Sequence, residues 1–241
     1  MRLKVVRGGV MLRVLVALAL YLPLSGCDLF GFHDWEWHQK LTVSVMTPEG
    51  LKTASSVTEG SWSMAPTWFK IGDSGGGPGL GRLRGEAVVL ELVPQKYLFA
   101  LQDYSAMTAI YAIAGPNFRP GMRQDYIAVL DRMETISDSR TLTPKHHPLL
   151  VTFDDINDPA SVRRVDPSNL PATFGHGYRL NAVTLSITDE PVTRGRVEKV
   201  LGWLAWSRDR LLAAGNGRNP VQLEIGNGLL ALDRADFRRA D

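Results

Sequence analysis

The sequence predicts an α+β fold: a mainly antiparallel sheet built from hairpins, with a few short helices packed on one side. Two observations carry this expectation. Strand-like runs with period-two alternation and hairpin-length connections fill the first third, and helix-like apolar spacing of three and four appears only after them. A regular succession of strand, helix and strand does not follow, which argues against a doubly wound parallel sheet. Of 241 residues, 44% are hydrophobic and 22% charged, a globular composition that excludes a disordered or collagen-like chain.

The elements follow in order. Trp35, Trp37, Leu41, Val43 and Val45 share one face of a strand, and Glu36, His38, Lys40, Thr42 and Ser44 share the other. Gln39 is the single break in the apolar face. Thr47-Pro48-Glu49-Gly50 favours a type I turn, and a more polar strand over 51–58 closes the hairpin. Residues 61–85 hold Trp62, Trp68 and Phe69, then a glycine-rich stretch read as a loop. The nearly continuous apolar run 86–93 predicts a central strand, turned by Pro94-Gln95-Lys96 into a partner over 97–101. Helices are predicted over 104–114, from Met107, Ile110, Tyr111 and Ala114, and over 122–136, from Tyr126, Ile127, Leu130 and Met133. Strands are expected over 149–153, 178–187 and 221–225, and short helices over 197–204 and 207–214. The charged end, 233–241, is expected to fray.

Several clusters invite a chemical reading. Gly72-Asp73-Ser74-Gly75-Gly76 resembles the nucleophile motif of chymotrypsin-like serine proteases, where backbone N–H groups form an oxyanion hole. Here Gly77 displaces the usual proline, and the upstream His33 and His38 lie near a tether and on an outward strand face, so a flexible loop is expected. The glycines of 75–85, with Arg82 and Arg84, precede a strand rather than open a helix, unlike a phosphate cradle. Asp154, Asp155 and Asp158 end a strand. They suit turn chemistry, with calcium or magnesium binding as the rival reading. His146, His147 and His176 suit exposed loops, with a shared zinc site as their rival. The arginine pairs 163–164, 194 and 196, and 238–239 suit solvated faces. No catalytic residue and no cofactor is expected from these patterns.

The most informative segment is the N-terminus. Arg2, Lys4, Arg7 and Arg13 form a basic region, and 14–22 is a nine-residue apolar run, too short to span a bilayer as a helix. Leu24-Ser25-Gly26-Cys27 follows in register and resembles the lipobox of bacterial lipoproteins. The resemblance implies removal of 1–26, a thioether-linked diacylglycerol on Cys27, acylation of the new amine with a palmitate-like chain, and a home in the cell envelope. Asp28 resembles the signal that retains enterobacterial lipoproteins in the inner membrane, facing the periplasm. The turn Met46-Thr47-Pro48-Glu49-Gly50 and the segment 187–193 resemble uncharacterised proteobacterial envelope lipoproteins, a likeness that carries no activity.

These readings divide the chain into a signal peptide (1–26), a short tether (27–34), a single α+β domain (35–232) and a charged tail (233–241). Phe30 and Phe32 of the tether either staple it to the domain or lie at headgroup level. The processed chain has 215 residues with 23 basic and 25 acidic side chains, so no basic surface for nucleic acid is expected. Cys27 is the only cysteine, which excludes an intrachain disulfide. The expected role is a membrane-anchored, non-catalytic interaction protein, partnered by the membrane and another envelope protein. A small-molecule or metal-binding module and an envelope hydrolase are the alternatives.

Overall fold

The α+β fold is seen in a computed structural model that describes residues 31–71, 74–75, 79–101, 106–115, 117–136, 139–205, 222–225, 228–232 and 234–239. In chain order the strands are β1 (His33–Thr47), β2 (Gly50–Met64), β3 (Lys70–Ile71), β4 (Ser74–Gly75), β5 (Leu80–Glu86), β6 (Val88–Val93), β7 (Lys96–Ala100), β8 (Ser139–Thr141), β9 (Leu150–Phe153), β10 (Val162–Arg164), β11 (Arg179–Ile187), β12 (Gln222–Ile225), β13 (Gly228–Ala231) and β14 (Arg238–Arg239). The α-helices are α1 (Met107–Ala114), α2 (Arg123–Met133), α3 (Pro171–Phe174), α4 (Arg196–Val200) and α5 (Arg234–Phe237). Two main sheets have the strand orders β14-β5-β2-β1-β11-β8 and β10-β9-β7-β6, and every pairing in them is antiparallel.

The β1–β2 hairpin organises the larger sheet. Pro48 and Glu49 make its turn, and the Thr47 hydroxyl accepts the Glu49 N–H while donating to the Gly50 carbonyl at 2.9 Å. The apolar face of β1 is buried as its alternation predicts, and Gln39 is buried with it. Its side-chain oxygen accepts the Trp37 indole N–H at 2.9 Å, so the break in the apolar face is satisfied from within. β2 continues to Met64, well past the predicted end at 58, because β5 pairs with it along Gly60↔Leu83 and Trp62↔Gly81. Part of the expected glycine-rich loop is therefore strand. A Cβ on Gly60 would stand 2.4 Å from the Trp37 ring, and one on Gly81 2.4 Å from the Trp62 ring. Glycine at these two positions makes room for an indole on the neighbouring strand.

The chain changes sheets at Glu86 and Ala87. The run 86–93 yields β6, which lies at the edge of the smaller sheet, not at its centre. One of its faces is fully buried and the other only partly covered, with Glu91 exposed. Val88, Leu90 and Leu92 enter one core, and Val89 packs against another. The Leu92 carbonyl on this strand is met by the Lys52 ammonium at 3.0 Å and the Tyr178 hydroxyl at 3.4 Å.

Two cores result. The first lies between the sheets and beneath α1 and α2, and includes Leu41, Val43, Leu90, Leu98, Ile110, Leu130 and Leu185. Trp62 stacks on Tyr126 of α2 at 5.4 Å, and the Trp35 indole N–H donates to Asp131 at 2.9 Å, fixing that helix over the tryptophan end of the sheet. The second core covers the other face of the smaller sheet with Phe99, Val151, Phe153, Val197, Leu201, Leu204, Leu232 and Phe237. Phe237 is fully buried, and β14 pairs with β5. The end of the chain thus departs from the expected frayed tail beyond 232: within 234–239, one phenylalanine outweighs the surrounding charge because it completes a core. The short helix predicted over 207–214 lies outside the described residues, as do the signal peptide and Cys27.

Candidate functional site

The segment after β11 builds the most distinctive surface feature. It leaves the sheet with the Thr188 N–H bonded to the His38 carbonyl at 3.1 Å. It then crosses the outward face of β1, where Glu190 pairs with Lys40 at 2.7 Å and its carbonyl accepts from His38 Nδ1 at 2.8 Å. It reaches β2 at Val57, where Thr193 exchanges two bonds of 2.9 Å with the Val57 backbone. Beyond it, the buried Glu86 carboxylate accepts the N–H groups of Arg196 at 3.0 Å and Val197 at 3.4 Å, starting α4 on an anion. The strap thereby ties the larger sheet to the second core.

Beside the start of this strap is a cleft of about 550 Å³. β1 contributes Glu36, Trp37 and His38, the end of α2 contributes Met133, Glu134, Thr135 and Ile136, and the strap contributes Ile187, Thr188 and Asp189. Trp37, Met133 and Ile187 are buried, and the carboxylates of Glu36, Glu134 and Asp189 are exposed around them. The C-terminal end of α2 adds the partial negative charge of its carbonyls. The His38 ring is oriented by the bond from its Nδ1 to the Glu190 carbonyl. An apolar floor with an acidic rim suits a ligand with an apolar body and a cationic group.

The residues singled out from sequence lie elsewhere. Asp154 pairs with Arg163 at 2.5 Å, Asp155 accepts the Asn157 N–H at 2.9 Å, and Asp158 accepts the Ala160 N–H at 2.9 Å. These are the local bonds that turn chemistry demands. The His146 ring stacks on Tyr111 at 5.6 Å, and burial followed by the charge of Lys145 lowers its pKa. His147 Nε2 donates to the Leu142 carbonyl at 3.2 Å, while its Nδ1 is buried without a hydrogen-bond partner. His176 is exposed in a separate loop. Among the described residues no three His, Cys, Asp or Glu side chains are placed to hold a metal ion together. The protease-like glycine motif falls partly outside the described residues; its Ser74 and Gly75 form β4. The described arginines are taken up by protein partners: Arg84 pairs with Glu59, Arg163 with Asp154 and Arg238 with Glu198, and Arg196 donates to the Ser55 carbonyl.

The cleft has no signature in the sequence. Its three carboxylates come from three elements at 36, 134 and 189, and none stands in a pattern that chemistry requires. The alternation of β1 does place Glu36 and His38 outward, but not what faces them. The chain matches no family model, no curated protein and no solved structure.

Proposed function

We propose that this chain is a lipid-anchored protein of the bacterial cell envelope whose domain binds another envelope component and does not catalyse a reaction. The observation that carries the reading is the register of the N-terminus: a basic region, a nine-residue apolar run and Leu24-Ser25-Gly26-Cys27. Two or three acyl chains on Cys27 hold a protein durably, whereas one holds it reversibly. Among the described residues no helix is long and apolar enough to cross a membrane, so in this reading the lipid supplies the attachment. Asp28 supports the inner membrane as its location, with the domain in the periplasm.

Fractionation tests the anchor. The native chain sediments with membranes and is released by detergent but not by high salt. A Cys27→Ala variant retains its signal peptide or enters the soluble fraction without lipid. A native chain found soluble, or washed off by salt, contradicts the reading. Crosslinking from the domain then identifies the partner.

The cleft between β1, α2 and the strap favours a second reading, in which the domain binds a small amphipathic cation. Ligand that binds only the folded state raises the melting temperature with concentration. A panel of alkylamines tests this, with Glu134→Gln and Asp189→Asn expected to weaken the shift. No shift at any concentration contradicts it.

A further inference from the structure

The described chain begins where an exposed aromatic cluster forms. The Phe32 ring meets Phe69 at 5.1 Å and Trp68 at 6.1 Å, and Trp68 meets Phe69 at 6.0 Å, all edge to face. Trp68 is 65% exposed, more than any other exposed large hydrophobic among the described residues. It is not on a loose loop: the Phe69 N–H closes a turn onto the Pro66 carbonyl at 3.0 Å, and Arg123 of α2 donates to the Ala65 carbonyl at 2.6 Å. Phe32 staples the tether to this turn, and Gly31 lies against Pro66, where an added Cβ would be 3.2 Å from the proline ring.

We infer that Phe32, Trp68 and Phe69 form a docking surface for the lipid bilayer that carries the anchor, with Trp68 held at headgroup level. The inference rests on the lipid anchor proposed above and deepens it. Gly31 lies on the domain and is four residue steps from Cys27 in the chain, a length that spans at most about 14 Å. So short a tether keeps the cluster at the surface at high effective concentration. Tryptophan is the side chain that partitions best there, its ring apolar and its N–H able to bond at the interface. The occupant is therefore the membrane, because the anchor delivers this patch to it before any protein partner. The geometry also orients the domain. Leu51, at the far end of β2, is 13 residues from Met64, or about 43 Å at the rise of a strand, so the hairpin tip projects into water.

The full lipidated chain in phosphatidylethanolamine–phosphatidylglycerol vesicles tests this. Cys27 is consumed by its thioether, so Thr67→Cys or Leu51→Cys provides a single thiol for an environment-sensitive fluorophore. Both positions are exposed. Expected is a blue shift at position 67 and quenching by doxyl lipid about twofold stronger than at 51, both lost when Trp68→Ser is added. A label at 67 that stays water-like while the protein floats with the vesicles overturns the docking and leaves the anchor standing. A shift that follows protein concentration rather than lipid overturns it in favour of self-association. A chain that does not float overturns the anchor and the docking together.

Discussion

The larger sheet and the smaller sheet hide different numbers of faces, and the rest of the molecule follows from that. The larger sheet buries one face in a core, and its other face is polar along β1 (Glu36, His38, Lys40, Thr42 and Ser44) and is crossed only locally by the strap, over Lys40 and Val57. Local alternation is enough to specify such a sheet. The smaller sheet is covered on both faces, and its second cover comes from residues far along the chain, Val197, Leu201, Leu204, Leu232 and Phe237. A sheet buried twice needs segments that fold late in sequence, and charge along those segments does not prevent their docking.

The comparison is most directly broken by emptying each core in turn. Phe99→Ala removes a fully buried ring that touches Phe153 at 5.5 Å and Phe237 at 6.0 Å, and should cost about 3–5 kcal/mol in urea unfolding. Phe237→Ala should cost about as much, which a dispensable tail would not. A loss below about 1 kcal/mol at Phe237 would put the C-terminal cover in doubt.

Glycine-to-alanine changes probe the larger sheet. Gly60→Ala and Gly81→Ala each drive a methyl group into an indole and should cost about 1–3 kcal/mol. Gly115→Ala instead places a side chain at positive φ where it meets nothing within 4 Å, so it reports backbone strain alone, whereas Gly60 and Gly81 report packing alone. A loss below about 0.5 kcal/mol at both Gly60 and Gly81 would remove the packing argument.

The link between the sheets is sharpened at Glu86. Glu86→Ala leaves the N–H groups of Arg196 and Val197 without their acceptor and should cost about 1–2 kcal/mol. Hydrogen exchange should quicken first over 196–204, not in β1 or β2.

The smallest effect is a pH dependence at His146. Burial, then Lys145, holds its folded pKa below the ordinary 6.5, so the unfolded chain binds the proton more readily. The associated stability is present above 6.5 and is lost as pH falls through 6.5 toward the folded value. His146→Asn should therefore make the urea midpoint fall less steeply on acidification in that window. An unchanged slope would mean the ring is not desolvated.

How much of this was legible in the sequence depends on the range of the signal. The β1–β2 hairpin could be read because Pro48, Glu49 and Gly50 lie between alternating runs, all of it local. α1 and α2 could be read from the spacing of Ile110, Leu130 and their neighbours. The extension of β2 to Met64 could not, since the roles of Gly60 and Gly81 depend on indoles from other strands. The edge position of β6 could not either, because an apolar run reports burial and not the number of neighbours. The cleft joins residues far apart in the chain, and only the folded chain brings Glu36, Glu134 and Asp189 together. The packing of Phe32 against the domain was one of two readings its position allowed, and the setting of Trp68 depends on the turn that Phe69 closes onto Pro66.

The central claim is that Cys27 carries the lipid that fixes this protein to its membrane. The most direct test is the intact mass of the native chain extracted in detergent, with its N-terminal peptide sequenced. The account predicts a chain beginning at Cys27, its mass raised by a diacylglycerol and an amide-linked acyl chain on that residue. A chain that begins elsewhere, or begins at Cys27 with a free thiol, would contradict it.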